Sequence, residues 1–129
     1  MTRRFPYDRS RSPAAPTLPV TLGRPGAAGK AAALAIVDTG AELSVIPHRL
    51  AGDLRLPVVG EVTVQGVTGS RRVRIYGADL EINGVRTSIE AAGIGTHTLI
   101  GRDVINRWTL LLRGPAQLLE LDTGPEEAG

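Results

Sequence analysis

Residues 35–47 read AIVDTGAELSVIP: three apolar residues run directly into Asp38, followed by Thr39, Gly40 and Ala41, and then a second apolar segment. Upstream, AAALAIV (31–37) is a nearly continuous apolar run, the pattern of a strand buried on both faces. The strand ends at Asp38, so the carboxylate is expected at the rim of a dry core, where it is expensive as structure alone. Gly40 allows a tight turn and a close approach. The same tripeptide recurs in LLELDTGPEEAG (118–129), but there Glu120 interrupts the apolar run and Pro125 follows the glycine. Asp122 therefore reads as the end of a last strand entering a turn.

The residues around the first copy predict short strands. PTLPVTL (16–22) alternates, and GRPGAAGK (23–30) is a turn or loop by its glycines and proline. After Pro47, HRLAGDL allows a single helical turn. VTVQGVTGSRRVRI (62–75) alternates on both sides of a glycine-bearing tip and predicts a β-hairpin. YGADLEINGVRTSIE (76–90) predicts another, with Asn83-Gly84 at the turn. RDVINRW is a short helix candidate, with Trp108 expected to pack on the core beside it. WTLLLRGPAQLLELD (108–122) predicts a third hairpin around Gly114-Pro115. Many short strands with closely spaced turns indicate an all-β sandwich or barrel.

AIVDTGAELSVIP resembles the active-site segment of the aspartic proteases, and the order of the downstream segments resembles the single-domain, retroviral-type members, the retropepsins. The hairpin at 62–75 stands where that family carries its flap. A second hairpin comes next, and LIGRDVI (99–105) matches the apolar-apolar-Gly-Arg segment that leads into the family's helix. The resemblance covers roughly residues 17–112. It implies an all-β, retropepsin-like closed β-barrel or sandwich of short strands and hairpins, with one short helix near residues 102–107. Residues 1–16 are expected to be a flexible Arg-rich tail, 17–122 the protease domain and 123–129 an acidic tail.

The resemblance also implies a mechanism. Each subunit of a homodimer would contribute one Asp38, and like charges that close cannot both ionise, so the pair would share one proton. One carboxylate would activate water as general base while the other acts as general acid. The catalytic residues implied are Asp38, Thr39 and Gly40, with Thr39 bracing the two loops. Ala41, Gln65, Gly66, Val67, Thr68 and Gly69 would contact an extended peptide or protein substrate. Arg102 and Glu42 match a family ion pair that supports the dimer. The implied N-terminal interface strand would fall near FPYDRSRSP (5–13), a polar stretch and a poor strand, so the C-terminal hairpin is the alternative dimer sheet. Two further readings stand beside the endopeptidase: a catalytically silent peptide-binding or scaffolding module of the same fold, and an Arg-rich β-domain that binds nucleic acid.

Composition narrows the alternatives. The chain has 129 residues, with room for one lobe but not two, which favours a dimer over a two-lobed single chain. Aromatics are 3% against 42% hydrophobic residues overall, so Val, Ile, Leu and Ala must build the core. Fourteen Arg and one Lys against 13 acids leave a net charge of +2, too balanced to demand a nucleic-acid partner. The absence of cysteine excludes disulfides, thiol catalysis and Cys-ligated zinc. His48 and His97 are the only histidines and far apart, so no metal or other cofactor is expected. No signal-peptide pattern or membrane-length apolar run is present, and a cytoplasmic location is the default expectation.

Overall fold

A computed structural model describes residues 2–27 and 30–124 of the chain. In chain order the elements are Thr2–Pro6 (β1), Thr17–Gly23 (β2), Lys30–Val37 (β3), Val45–Ile46 (β4), the helix His48–Asp53 (α1), Val58–Gly66 (β5), Gly69–Ile82 (β6), Val85–Gly93 (β7), Leu99–Ile100 (β8), the helix Arg102–Ile105 (α2), Thr109–Arg113 (β9) and Leu118–Asp122 (β10). The larger sheet has the order β2-β3-β8-β4-β7-β6-β5, and β2 also pairs with β6 through Thr21–Glu81, Leu22–Leu80 and Gly23–Asp79. That extra pairing closes six strands into a barrel. β5 is left outside, bonded only to the first half of β6.

Local chemistry explains the hairpins. At the β6–β7 turn, Asn83 and Gly84 both have positive φ (53° and 76°), the backbone that Asn-Gly tolerates and that matches the twist of the flanking strands. The β5–β6 hairpin closes with Gly66 opposite Gly69, leaving Val67-Thr68 at its tip. Gly69 has φ of 129°, a conformation closed to most side chains. β9 and β10 pair from Arg113–Leu118 to Asp122–Thr109, so the third predicted hairpin is present.

The barrel interior is aliphatic. Leu18, Leu22, Ile46, Leu80, Ile82, Ile100 and Val104 are all essentially inaccessible. Each such side chain contributes about 1.5–3 kcal/mol on burial, and Phe5 and Tyr76 add buried rings to this mainly aliphatic core. Trp108 and Ile105 pack partly buried against this cluster, beside α2 as expected.

The structure corrects two expectations and adds an element. β3 is buried on one face only: Ala35 and Val37 point into the barrel, while Leu34 is 52% exposed on the outside. A barrel strand has an interior and an exterior, and an Ala-rich exterior mimics a two-sided burial pattern. Residues 2–16 are not a flexible tail. β1 pairs antiparallel with β10 from Thr2–Asp122 to Pro6–Leu118, and Asp8 bridges Ala15. A polar strand suffices there because β10 supplies the hydrogen bonds and only Phe5 enters the core. α1 is a second short helix, where one helical turn was expected. Residues 125–129, most of the anticipated acidic tail, lie outside the described residues.

Candidate active site

Asp38 is the first residue after β3, and the parallel partner β8 holds its backbone. The Ile36 N–H donates to Thr98 O at 2.9 Å, and the Asp38 N–H donates to Ile100 O at 2.9 Å. The chain then turns sharply, with the Gly40 N–H donating to Asp38 Oδ1 at 3.0 Å and the Ala41 N–H donating to Asp38 O at 3.3 Å. Asp38 is half-buried, while Thr39 and Gly40 are exposed. The carboxylate thus sits on a rigid strand end and faces the surface on one side.

α2 supports the loop from below. The Arg102 N–H donates to Ala41 O at 2.8 Å, and the Asp103 N–H donates to Glu42 O at 3.3 Å. Gly101 makes this approach possible: a Cβ there would lie 2.7 Å from Leu43 C and 2.8 Å from Leu43 O. Ser44, 1% exposed, donates its hydroxyl to Asp103 Oδ1 at 2.9 Å and accepts the Gly101 N–H at 3.0 Å. Neither Ser44 nor Asp103 stands out as a site residue in the sequence. The available signal is a lone serine inside the apolar run ELSVIP.

Glu42 and Arg102 do not form the anticipated ion pair. The Arg102 guanidinium donates instead to Thr39 O at 3.2 Å, and no ion pair joins the two side chains among the described residues. Arg102 opens α2 directly beneath the loop, which points its side chain back at the Thr39 carbonyl. Glu42 gives its backbone carbonyl to α2 and leaves its side chain in solvent.

Gln65, Gly66, Val67, Thr68 and Gly69 occupy the free end of the β5–β6 hairpin. Val67 is fully exposed, and among the described residues no hydrogen bond joins 65–69 to the 38–41 loop. The base of the hairpin does reach the site. Val73 and Ile75 pack with Ala92, Leu43, Val45 and Ile94, and Leu43 and Val45 belong to the chain just after the Asp38 loop. On the other side of the loop, Val37, Thr39, Ile105, Trp108, Leu110 and Leu112 line a hollow of about 420 Å³. A larger concavity, about 510 Å³, opens beyond Leu43 and Asp103 and does not include Asp38.

Asp122 ends β10, in the other sheet, and accepts the Gly124 N–H at 2.9 Å. That bond is the main reason its carboxyl sits below its ordinary value. It is a turn residue, as its surroundings indicated. Among the described residues no group of three His, Asp or Glu gathers to hold a metal ion, and no helix is long and apolar enough to cross a membrane.

A six-stranded barrel that delivers Asp-Thr-Gly at a strand end, braced by a Gly-Arg segment, defines the retropepsin-like class of folds. The aspartyl protease family matches residues 25–104, more than half of the chain, and the protein belongs to that family. Several solved structures share the fold. A retropepsin-like aspartic protease from Rickettsia conorii superposes with a TM-score of 0.58 at 16% identity, covering 94% of this chain and 91% of that one. The simian foamy virus (mac) protease gives 0.56 at 14% identity, over 70% of this chain and 92% of its own. The retroviral protease-like domain of Ddi1 from Leishmania major gives 0.55 at 18% identity, over 88% and 97%. No curated protein matches the chain significantly.

Proposed function

We propose that the protein is an aspartic endopeptidase whose active site forms when two copies bring their Asp38 residues together. The observation that carries this reading is the mounting of Asp38: its backbone is fixed by Ile100 O, while its carboxylate remains half-open to the surface. One chain supplies one such carboxylate, and the acid/base chemistry needs two. One ionised Asp38 would take a proton from water as it attacks the peptide carbonyl. The other, protonated, would give its proton to the departing amine, with no covalent intermediate. Thr39 and Gly40 would line the two-fold axis. The 65–69 hairpin end would act as a flap, closing over an extended peptide and excluding water.

The surface next to Asp38 supports the dimer. β9 is an edge of the smaller sheet β1-β10-β9, so among the described residues one row of its backbone groups has no strand partner. Leu112, on the sheet face that buries Leu119 and Leu121, is 45% exposed and lines the same hollow as Thr39. A two-fold axis beside Asp38 would therefore cross this edge perpendicular to the strand, and two β9 strands would pair antiparallel about it.

The test is cleavage of a peptide library across pH by wild type and Asp38→Asn. Asn keeps the shape and cannot act as base, so cleavage should fall by about a hundredfold or more with fold and dimer intact. Undiminished cleavage by Asp38→Asn would exclude the mechanism. Peptide binding without cleavage by wild type would identify a silent binding module.

A further inference from the structure

The β5–β6 hairpin distributes its charges unequally between its two faces. In an antiparallel pair, residues opposite one another share a face, and alternate residues along a strand return to it. Glu61–Arg74, Thr63–Arg72 and Gln65–Ser70 make one face; Val62–Val73 and Val64–Arg71 make the other. Val73 is 3% exposed and packs on Leu43 and Val45, so the second face is the underside, turned towards the chain that continues from Asp38. On the outer face Arg72 Nη2 lies 2.8 Å from Glu61 Oε2, and Arg74 points to solvent on the side away from the Asp38 chain. Arg71, on the underside beside Val64, is exposed, and no hydrogen bond or ion pair is formed by it among the described residues. An apolar underside of Val62, Val64, Val73 and Ile75 needs no cation for its own packing. A guanidinium there offers a planar fork to a carboxylate arriving beneath it.

We propose that Arg71 is a specificity-determining residue that selects peptides carrying an acidic side chain under the flap. The inference rests on the proposed peptidase reading, with the hairpin closing over a bound peptide. In a two-fold dimer each protomer brings one Arg71 to the peptide. The preference therefore appears at two positions, at matching distances on either side of the scissile bond. Because the guanidinium is solvent-accessible, the preference weakens as salt screens the pair.

The experiment compares kcat/KM of the full chain on peptide sets that differ only by Glu, Gln or Lys at each position flanking the scissile bond. Wild type, Arg71→Gln and Arg71→Glu are measured in parallel. Wild type should favour the Glu peptide about tenfold at one position on each side, the size of a charge-assisted contact. Arg71→Gln should bring that ratio close to one, and Arg71→Glu should favour a Lys peptide instead. A wild-type ratio near one at every position, or a ratio retained in Arg71→Gln, overturns the proposal while leaving the peptidase reading in place. If wild type cleaves nothing, the peptidase reading fails separately. Calorimetric binding of the same peptides to Asp38→Asn, with and without Arg71→Gln, then decides the Arg71 question alone.

Discussion

Ser44 Oγ lies 2.9 Å from Asp103 Oδ1, joining residues 59 apart in sequence immediately behind the Asp38 loop. The same hydroxyl accepts the Gly101 N–H, so one buried oxygen ties the segment after the loop to the start of α2. Ser44→Ala would leave the buried Gly101 N–H without its acceptor and remove a donor from the half-buried Asp103 carboxylate. The expected cost is about 1–3 kcal/mol, since an unsatisfied buried group loses its full solvation. Urea denaturation should show a lower midpoint at an unchanged slope. Any peptidase activity should fall with it, because the Asp38 loop loses its brace.

Gly101 gives a sharper version of the same argument. A methyl group there would meet the Leu43 backbone at 2.7–2.8 Å, and backbone cannot step aside as a side-chain end can. Gly101→Ala should destabilise the fold by about 1–3 kcal/mol and displace the 38–43 segment from α2. Gly114→Ala is the matched control, since a Cβ at Gly114 meets nothing within 4 Å. Thermal denaturation of the two variants should separate clearly, with Gly114→Ala close to wild type.

Sequence reasoning reaches the parts of this fold whose causes are local. Asn83-Gly84 announces a type I′ turn because both residues tolerate positive φ, and the turn forms where expected. The place of Asp38 at a strand end is legible because an apolar strand leads into it, and Asp122 reads as a turn because nothing suitable surrounds it. The failures are tertiary. β1 is polar apart from Phe5, and its stability comes from β10 at the far end of the chain. The Ser44–Asp103 contact needs two segments brought together by the barrel. Glu42 and Arg102 have the residue types of an ion pair, yet the position of α2 sends the guanidinium to the Thr39 carbonyl instead.

Glu120 makes the smaller sheet sensitive to acid. It is 3.0 Å from Arg4 Nε on β1 and 3.0 Å from Arg113 Nε on β9, linking all three strands. The Arg113 hydrogen bond, helped by both guanidinium charges, holds the Glu120 carboxyl below its ordinary value of 4.5. A carboxyl depressed in the folded state stabilises the fold above its unfolded value and loses that contribution as pH falls through the folded one. Stability should therefore decline below about pH 4.5 partly through this group. Glu120→Gln should flatten that part of the profile, seen as a smaller drop in Tm between neutral and acidic buffer. An identical drop in wild type and variant would remove Glu120 from the account.

The open edge of β9 yields the prediction that separates folding from assembly. Leu111 and Leu112 are each 45% exposed, on opposite faces of an edge strand, while Leu119 and Leu121 beside them in β10 are buried. Removing β10 would expose those two leucines and uncover Phe5, so truncation would confuse loss of the dimer with loss of the fold. Leu112→Asp is cleaner. It changes an already half-exposed side chain, and its effect on the single chain should be small, within about 1 kcal/mol. If two copies pair along β9, the same substitution sets two carboxylates against each other across the axis and leaves them poorly hydrated. The dimer dissociation constant should then rise by at least about tenfold, the scale expected for disrupting a side chain at the centre of an interface. Sedimentation velocity would show a folded monomer where wild type is dimeric. Cleavage should vanish at concentrations where wild type is active and return in part at high protein concentration. Dimerisation unchanged by Leu112→Asp would move the interface away from β9.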